Sequence, residues 1–167
     1  MTDSAFDDVL QANRTWAAGF PHRGATAPAT RGLAVLTCMD SRIDPLRALG
    51  LDVGDAKVLR NAGGRLTDDM ASDLVLATHL LDVRRVLVLV HTSCAMASKT
   101  DAEVTAAVRE GSGLDAGDHA WQTVPDQRAR LEADVARLRA EPLLKPGTVV
   151  SGAVYDVDTG LVEVVVP

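Results

Sequence analysis

Two cysteines and one histidine, Cys38, His91 and Cys94, are the residues of this 167-residue chain best suited to soft-metal chemistry. The first two donors each close an apolar run, Leu33-Ala-Val-Leu-Thr-Cys38 and Val86-Leu-Val-Leu-Val-His91, that reads as a buried strand. Ligands of open α/β sheets gather outside the carboxyl ends of strands, so donors 53 positions apart can converge there. His91-Thr-Ser-Cys94 supplies a third donor within the same turn. A Cys2His set with one open place is a catalytic zinc arrangement, and no third cysteine is available to close it. Asp40 and Arg42 add a carboxylate and a permanent cation just beyond Cys38.

Blander readings stand beside this one. Taken singly, either cysteine reads equally well as a small buried hydrophobe, and a lone His-x-x-Cys is a weak signal. A thiol redox site would need closer cysteines than a pair 56 positions apart. His22, His79 and His119 are candidate proton carriers or ordinary surface and core histidines. Arg60-Asn61-Ala62-Gly63-Gly64 lacks the spacing of a phosphate-binding glycine loop. Asp68 and Asp69 read as helix-start acids, and Met39, Met96 and Trp121 as packing residues.

The elements that must position these groups alternate in type. Thr2 to Gly19 is expected as an amphipathic helix with Phe6, Val9, Leu10, Trp16 and Ala17 near one face. After the Leu33–Cys38 strand, Asp44-Pro45 opens a brief helix ending near Gly50. Ala56 to Asn61 is a second strand, and Thr67-Asp-Asp starts a helix reaching about Asp82. Beyond the Val86–His91 strand, Thr100-Asp-Ala-Glu103 fits a capping box. Gly111 to Pro125 is an unpatterned connection, and Asp126 to Ala140 is a charged helix with Leu131, Val135 and Leu138 inward. Thr148 to Tyr155 and Leu161 to Val166, joined at Asp158-Thr159-Gly160, close the chain as a hairpin. The alternation implies an α/β fold: a mostly parallel central sheet flanked by helices, with a C-terminal antiparallel edge strand. Residues 1–167 read as a single zinc-dependent domain.

Composition narrows the function. Seventeen basic against 23 acidic residues give a formal charge of −6 without basic runs, which argues against nucleic-acid or anionic-membrane partners. The longest apolar run, Val86 to Val90, is too short to span a bilayer, and the N-terminus lacks a secretory pattern. The expected location is cytoplasmic.

Three segments together, Cys38-Met-Asp-Ser-Arg42, Gly54-Asp55 with Val58-Leu-Arg-Asn-Ala-Gly63, and His91-Thr-Ser-Cys94, resemble the β-class carbonic anhydrases in order and spacing. The likeness spans about residues 33–100 and is greatest to the short prokaryotic branch, where Asn-Ala-Gly-Gly precedes a Thr-Asp-Asp helix start. It implies Zn2+ held by Cys38, His91 and Cys94, with Asp40 and Arg42 as the catalytic dyad. It further implies reversible hydration of carbon dioxide to bicarbonate and a proton, a metal-activated water being the nucleophile, and a homodimer or higher homo-oligomer. Carbonyl sulfide and carbon disulfide hydrolases resemble the same branch, and a non-catalytic zinc- or bicarbonate-binding relative is a third reading. The glycine segment at 60–64 is expected to line the floor of the site. Val90 and Ala95 stand where many relatives have glycine, and are expected to narrow the pocket.

Overall fold

A computed structural model describes residues 4–167. The first helix, α1, covers Asp7–Ala18, and every one of its residues is exposed. It starts later than the sequence pattern suggests, with Ser4 to Phe6 leading in and Thr2 outside the described residues. Its apolar side chains, Phe6, Val9, Leu10 and Trp16, therefore lie open to solvent.

The remaining elements follow the expected alternation. In order they are β1 (Leu33–Cys38), α2 (Pro45–Ala48), β2 (Ala56–Asn61), a 3-10 turn (Ala62–Gly64), α3 (Asp68–Leu80) and β3 (Arg85–His91). Next come α4 (Ala95–Ser98), α5 (Asp101–Ser112), α6 (Gln127–Arg139), β4 (Val149–Tyr155) and β5 (Val162–Val166). Helix starts are chemically marked: Asp44, Thr67 and Asp126 accept from backbone N–H groups of α2, α3 and α6, and Thr100 with Glu103 forms the expected capping box of α5. Helix α5 runs on through Gly111 and Ser112, which the sequence pattern assigns to a loop.

The five strands lie in the order β2-β1-β3-β4-β5, the first four parallel and β5 antiparallel to β4. Alternate residues Ala34, Leu36, Val86, Val88 and Val150 pack under Leu74 and Ala77 of α3 and Leu131, Val135 and Leu138 of α6. Gly152 marks where α6 crosses β4 most closely, since a Cβ there would meet Leu131 and Val135 at 3.0 Å. The opposite face centres on Leu33, Val35, Leu89 and Ala153, with Leu49 and Leu51 packed beside them. A groove of about 480 Å³ opens there, lined by Leu49, Leu51 and Leu87 between Arg31 and Arg85.

Chain order reverses between β1 and β3: β1 leads outward to β2, whereas β3 returns to its other side. The crevice beyond the carboxyl ends of these two strands is the topological switch point, where open α/β sheets bind ligands. Cys38 ends one strand and His91 the other.

Candidate metal centre

The ligand atoms of Cys38, His91 and Cys94 all lie within 4.8 Å of one another, and all three residues are buried. His91 Nδ1 lies 2.8 Å from the Thr92 carbonyl and donates to it, which leaves a lone pair on Nε2. Among the described residues, Nε2 of His91 is the one buried side-chain nitrogen or oxygen without a hydrogen-bond partner. A withdrawn lone pair facing two sulfurs is what a metal cation satisfies, so these residues fit a zinc ion.

Local backbone geometry builds this cluster. Beyond β3, Ser93 takes φ +54°, a left-handed turn that brings Cys94 back beside His91. Thr92 is pinned on both sides: its N–H donates to the Tyr155 carbonyl at 2.9 Å, and its hydroxyl accepts from Val157 N–H at 3.0 Å. Below β1, Gly63 N–H donates to Cys38 Sγ at 3.3 Å. Gly64 follows at φ +64°, and a Cβ there would meet Cys38 N and the Thr37 carbonyl carbon at 3.0 Å. The glycine segment therefore forms the floor, as expected from the sequence, and its closeness requires glycine.

The sulfurs are electrostatically unequal. The neighbouring Cys94 thiol pulls the Cys38 pKa far down against the opposing effect of burial, assisted by His91 and the Gly63 N–H. Cys94 shifts the other way, because a charged Cys38 beside it and burial both disfavour a second thiolate. Burial works against a charged His91 ring, but the Cys38 sulfur and the Thr92 carbonyl outweigh it and raise the pKa.

Asp40 and Arg42 form a two-pronged pair: Arg42 Nε donates to Oδ1 at 3.0 Å and Nη2 to Oδ2 at 2.7 Å. The Arg42 backbone N–H adds a bond to Oδ1 at 2.9 Å. These side-chain and then backbone bonds hold the Asp40 carboxyl well below the usual carboxylate range. Arg42 Nη2 also reaches the Ser93 carbonyl at 3.1 Å and so ties the β1 end to the β3 end. Asp40 Oδ2 lies 3.9 Å from His91 Nε2, which places the carboxylate at the rim of the Cys-His-Cys cluster. Ile43, Met96, Ala97 and Tyr155 supply the apolar surroundings of the two cysteines.

The other sequence candidates lie elsewhere. His22 packs with Trp16 and Phe20 near Asp52, His79 bonds the Leu143 carbonyl, and His119 lies tilted against the Trp121 ring. Val90 is buried in the core under the helices, and Ala95 is exposed. The register pair Thr37–Leu89 carries on to set Val90 level with Cys38, on the helix-covered side of the sheet. Met39 is 67% exposed and does not pack internally as expected. Two polar residues brace this region: sequence reasoning gave Arg60 only as part of the floor segment and missed Asp134 altogether. Arg60 reaches over the end of β1, and Asp134, buried on α6, accepts from Leu66 N–H at 2.9 Å and from Arg130 Nε at 2.7 Å.

Comparison with known proteins agrees with this geometry. Residues 33–162 match the family model described as carbonic anhydrase. Beta-carbonic anhydrase 1 of Mycobacterium tuberculosis is 34% identical over 164 residues, covering 96% of this chain and 98% of its own. The crystal structure of a carbonic anhydrase from Streptococcus mutans superposes with a TM-score of 0.89 at 38% identity, covering 99% of both chains. A carbon disulfide hydrolase of Acidithiobacillus thiooxidans is 32% identical over 173 residues, covering 90% of this chain and 84% of its own. The chain belongs to the β-class carbonic anhydrases, a zinc-dependent enzyme family. Among the described residues, no helix is long and apolar enough to cross a membrane.

Proposed function

We propose that this chain catalyses the reversible hydration of carbon dioxide to bicarbonate and a proton, with one zinc held by Cys38, His91 and Cys94. The observation that carries the reading is the orphaned, buried Nε2 of His91 facing two buried sulfurs, with the Asp40 carboxylate 3.9 Å away. Zinc in such a set supplies Lewis acidity that brings the pKa of water toward neutrality, to about 7 in three-histidine sites. Two thiolates give the metal more charge than imidazoles do, so the protein must help the water react.

Asp40 provides that help. Ionised, it is acceptor-only, and its Oδ2 would accept a hydrogen bond from the attacking water and so orient that water's lone pair toward the substrate carbon. Arg42 keeps Asp40 unprotonated and holds both oxygens in place. Ile43, Met96, Ala97 and Tyr155 offer apolar walls to a linear molecule without a net dipole.

A second reading, hydrolysis of carbon disulfide or carbonyl sulfide, is favoured by the 32% identical carbon disulfide hydrolase, since the same nucleophile and walls suit those molecules. Stopped-flow hydration of carbon dioxide, run beside hydrogen sulfide release from both sulfur compounds, separates the two. Hydration should dominate and fall about 100-fold or more in Asp40→Asn, with zinc retained. Sulfide release without hydration would shift the assignment to the second reading. Neither activity at one zinc per chain would leave a non-catalytic binding protein.

The chain is proposed to act as one unit, 1–167, in a homodimer or larger homo-oligomer. The open apolar side of α1, with Asp7 and Asp8 in its first turn, complements the Arg31–Arg85 groove on the uncovered sheet face of a second copy. A cytoplasmic location suits two free thiols needed as metal ligands.

A further inference from the structure

Arg60 is the penultimate residue of β2, paired in register with Thr37, one step short of the end of β1. Its side chain crosses the strand end: Nε donates to the Cys38 carbonyl at 2.8 Å and Nη2 to the Asp40 carbonyl at 2.7 Å. The Asp40 carbonyl also accepts from Ile43 N–H at 3.1 Å, and Met39 N–H donates to the Asn61 carbonyl at 3.0 Å. The tripeptide Cys38-Met39-Asp40 is therefore fastened along its length to β2, beyond the last rung of the ladder.

We propose that Arg60 is a positioning residue that sets the Cys38 sulfur and the Asp40 carboxylate as one rigid unit. Of Asp40, Arg42 grips only the side chain, and a side chain is placed no better than the backbone that carries it. A planar guanidinium bonding two carbonyls fixes their separation and orientation together, which no single-point donor can do. Met39 between them is 67% exposed, so packing does not hold this turn, and the hydrogen bonds must. The proposal rests on the zinc reading above and adds to it the residue that couples one ligand to the carboxylate.

The test uses the full-length protein with Arg60→Met, which keeps the apolar stem, and Arg60→Lys, which keeps the charge with one-point bonding. Zinc affinity is measured by chelator competition, kcat and KM by hydration, and the melting temperature with and without metal. Removing a partner of this kind weakens metal binding or activity about 10–100-fold. Arg60→Met should lose zinc affinity by such a factor and lose kcat with KM near its starting value. Its metal-free melting temperature should fall less than its metal-loaded one, and Arg60→Lys should fall between. Affinity and kcat within twofold of the parent would overturn the proposal. So would equal drops in metal-free and metal-loaded melting temperature with kcat per bound zinc unchanged, since Arg60 would then support the fold alone. Should Arg60→Met fail to fold, Arg60→Lys decides: a partial loss of affinity supports the role, and parental values refute it. If the parent protein itself takes up no zinc, the zinc reading fails, a result distinct from both.

Discussion

Gly64→Ala adds one methyl group beneath the metal cluster, and the geometry sets what it must do. The residue stands at φ +64°, where an L side chain costs roughly 1–2 kcal/mol. The new Cβ would sit 3.0 Å from Cys38 N and the Thr37 carbonyl carbon, and 3.3 Å from Thr37 Cα. All three are backbone atoms of a strand paired on both sides, so they cannot rotate away, and such overpacking costs roughly 1–3 kcal/mol. The reduced freedom of the unfolded alanine chain returns roughly 0.4–1 kcal/mol. The net expectation is a loss of about 2–4 kcal/mol, or about 5–15 °C in melting temperature for a chain of this size. Thermal and denaturant unfolding of the metal-free protein read the packing loss. The narrowing gap between metal-loaded and metal-free forms reads the displacement of Cys38. Gly111→Ala, in α5 with nothing within 4 Å of its Cβ, is the control and should be neutral or slightly stabilising. Gly64→Ala with parental stability and parental zinc affinity would refute the close floor described here.

Three further outcomes are expected. Asp40 has a folded pKa below its unfolded value near 3.9, so its pairing stabilises the fold above that pH and is lost as pH falls through the lower folded value. Arg42→Met should therefore flatten the acid limb of stability below about pH 4, and an unchanged limb would argue against the pairing. Stripping zinc should lower the melting temperature, because two buried sulfurs and the orphaned His91 nitrogen lose their common partner; an unchanged value would count against the cluster. Asp134→Ala should destabilise by about 2–4 kcal/mol in urea, since it leaves Leu66 N–H buried without its acceptor and Arg130 without its carboxylate; a loss under 1 kcal/mol would show that water replaces both.

The parts of this molecule legible in its sequence are those set by local pattern. The runs ending in Cys38 and Asn61 are bounded as strands by polar and glycine residues, and both form with the expected limits. Thr100 and Glu103 announce a capping box because its bonds close within four residues. The meeting of Cys38, His91 and Cys94 is readable because strand ends converge at a switch point, so residue type and position carry the information together. What stayed hidden depends on neighbours far along the chain. Arg60 falls in the expected floor segment, but its grip on the Cys38 and Asp40 carbonyls shows only once β1 is laid beside β2. Asp134 looks like one more charge on a charged helix, yet it is buried because Leu66, 68 positions earlier, presents an N–H to it.

Zinc content and zinc K-edge absorption of the purified protein test the central claim most directly. One zinc per chain is predicted, with two sulfurs at about 2.3 Å and a nitrogen at about 2.0 Å, leaving a place for a light atom. Protein without zinc, or zinc without sulfur ligands, would contradict the assignment of Cys38, His91 and Cys94 as its holders.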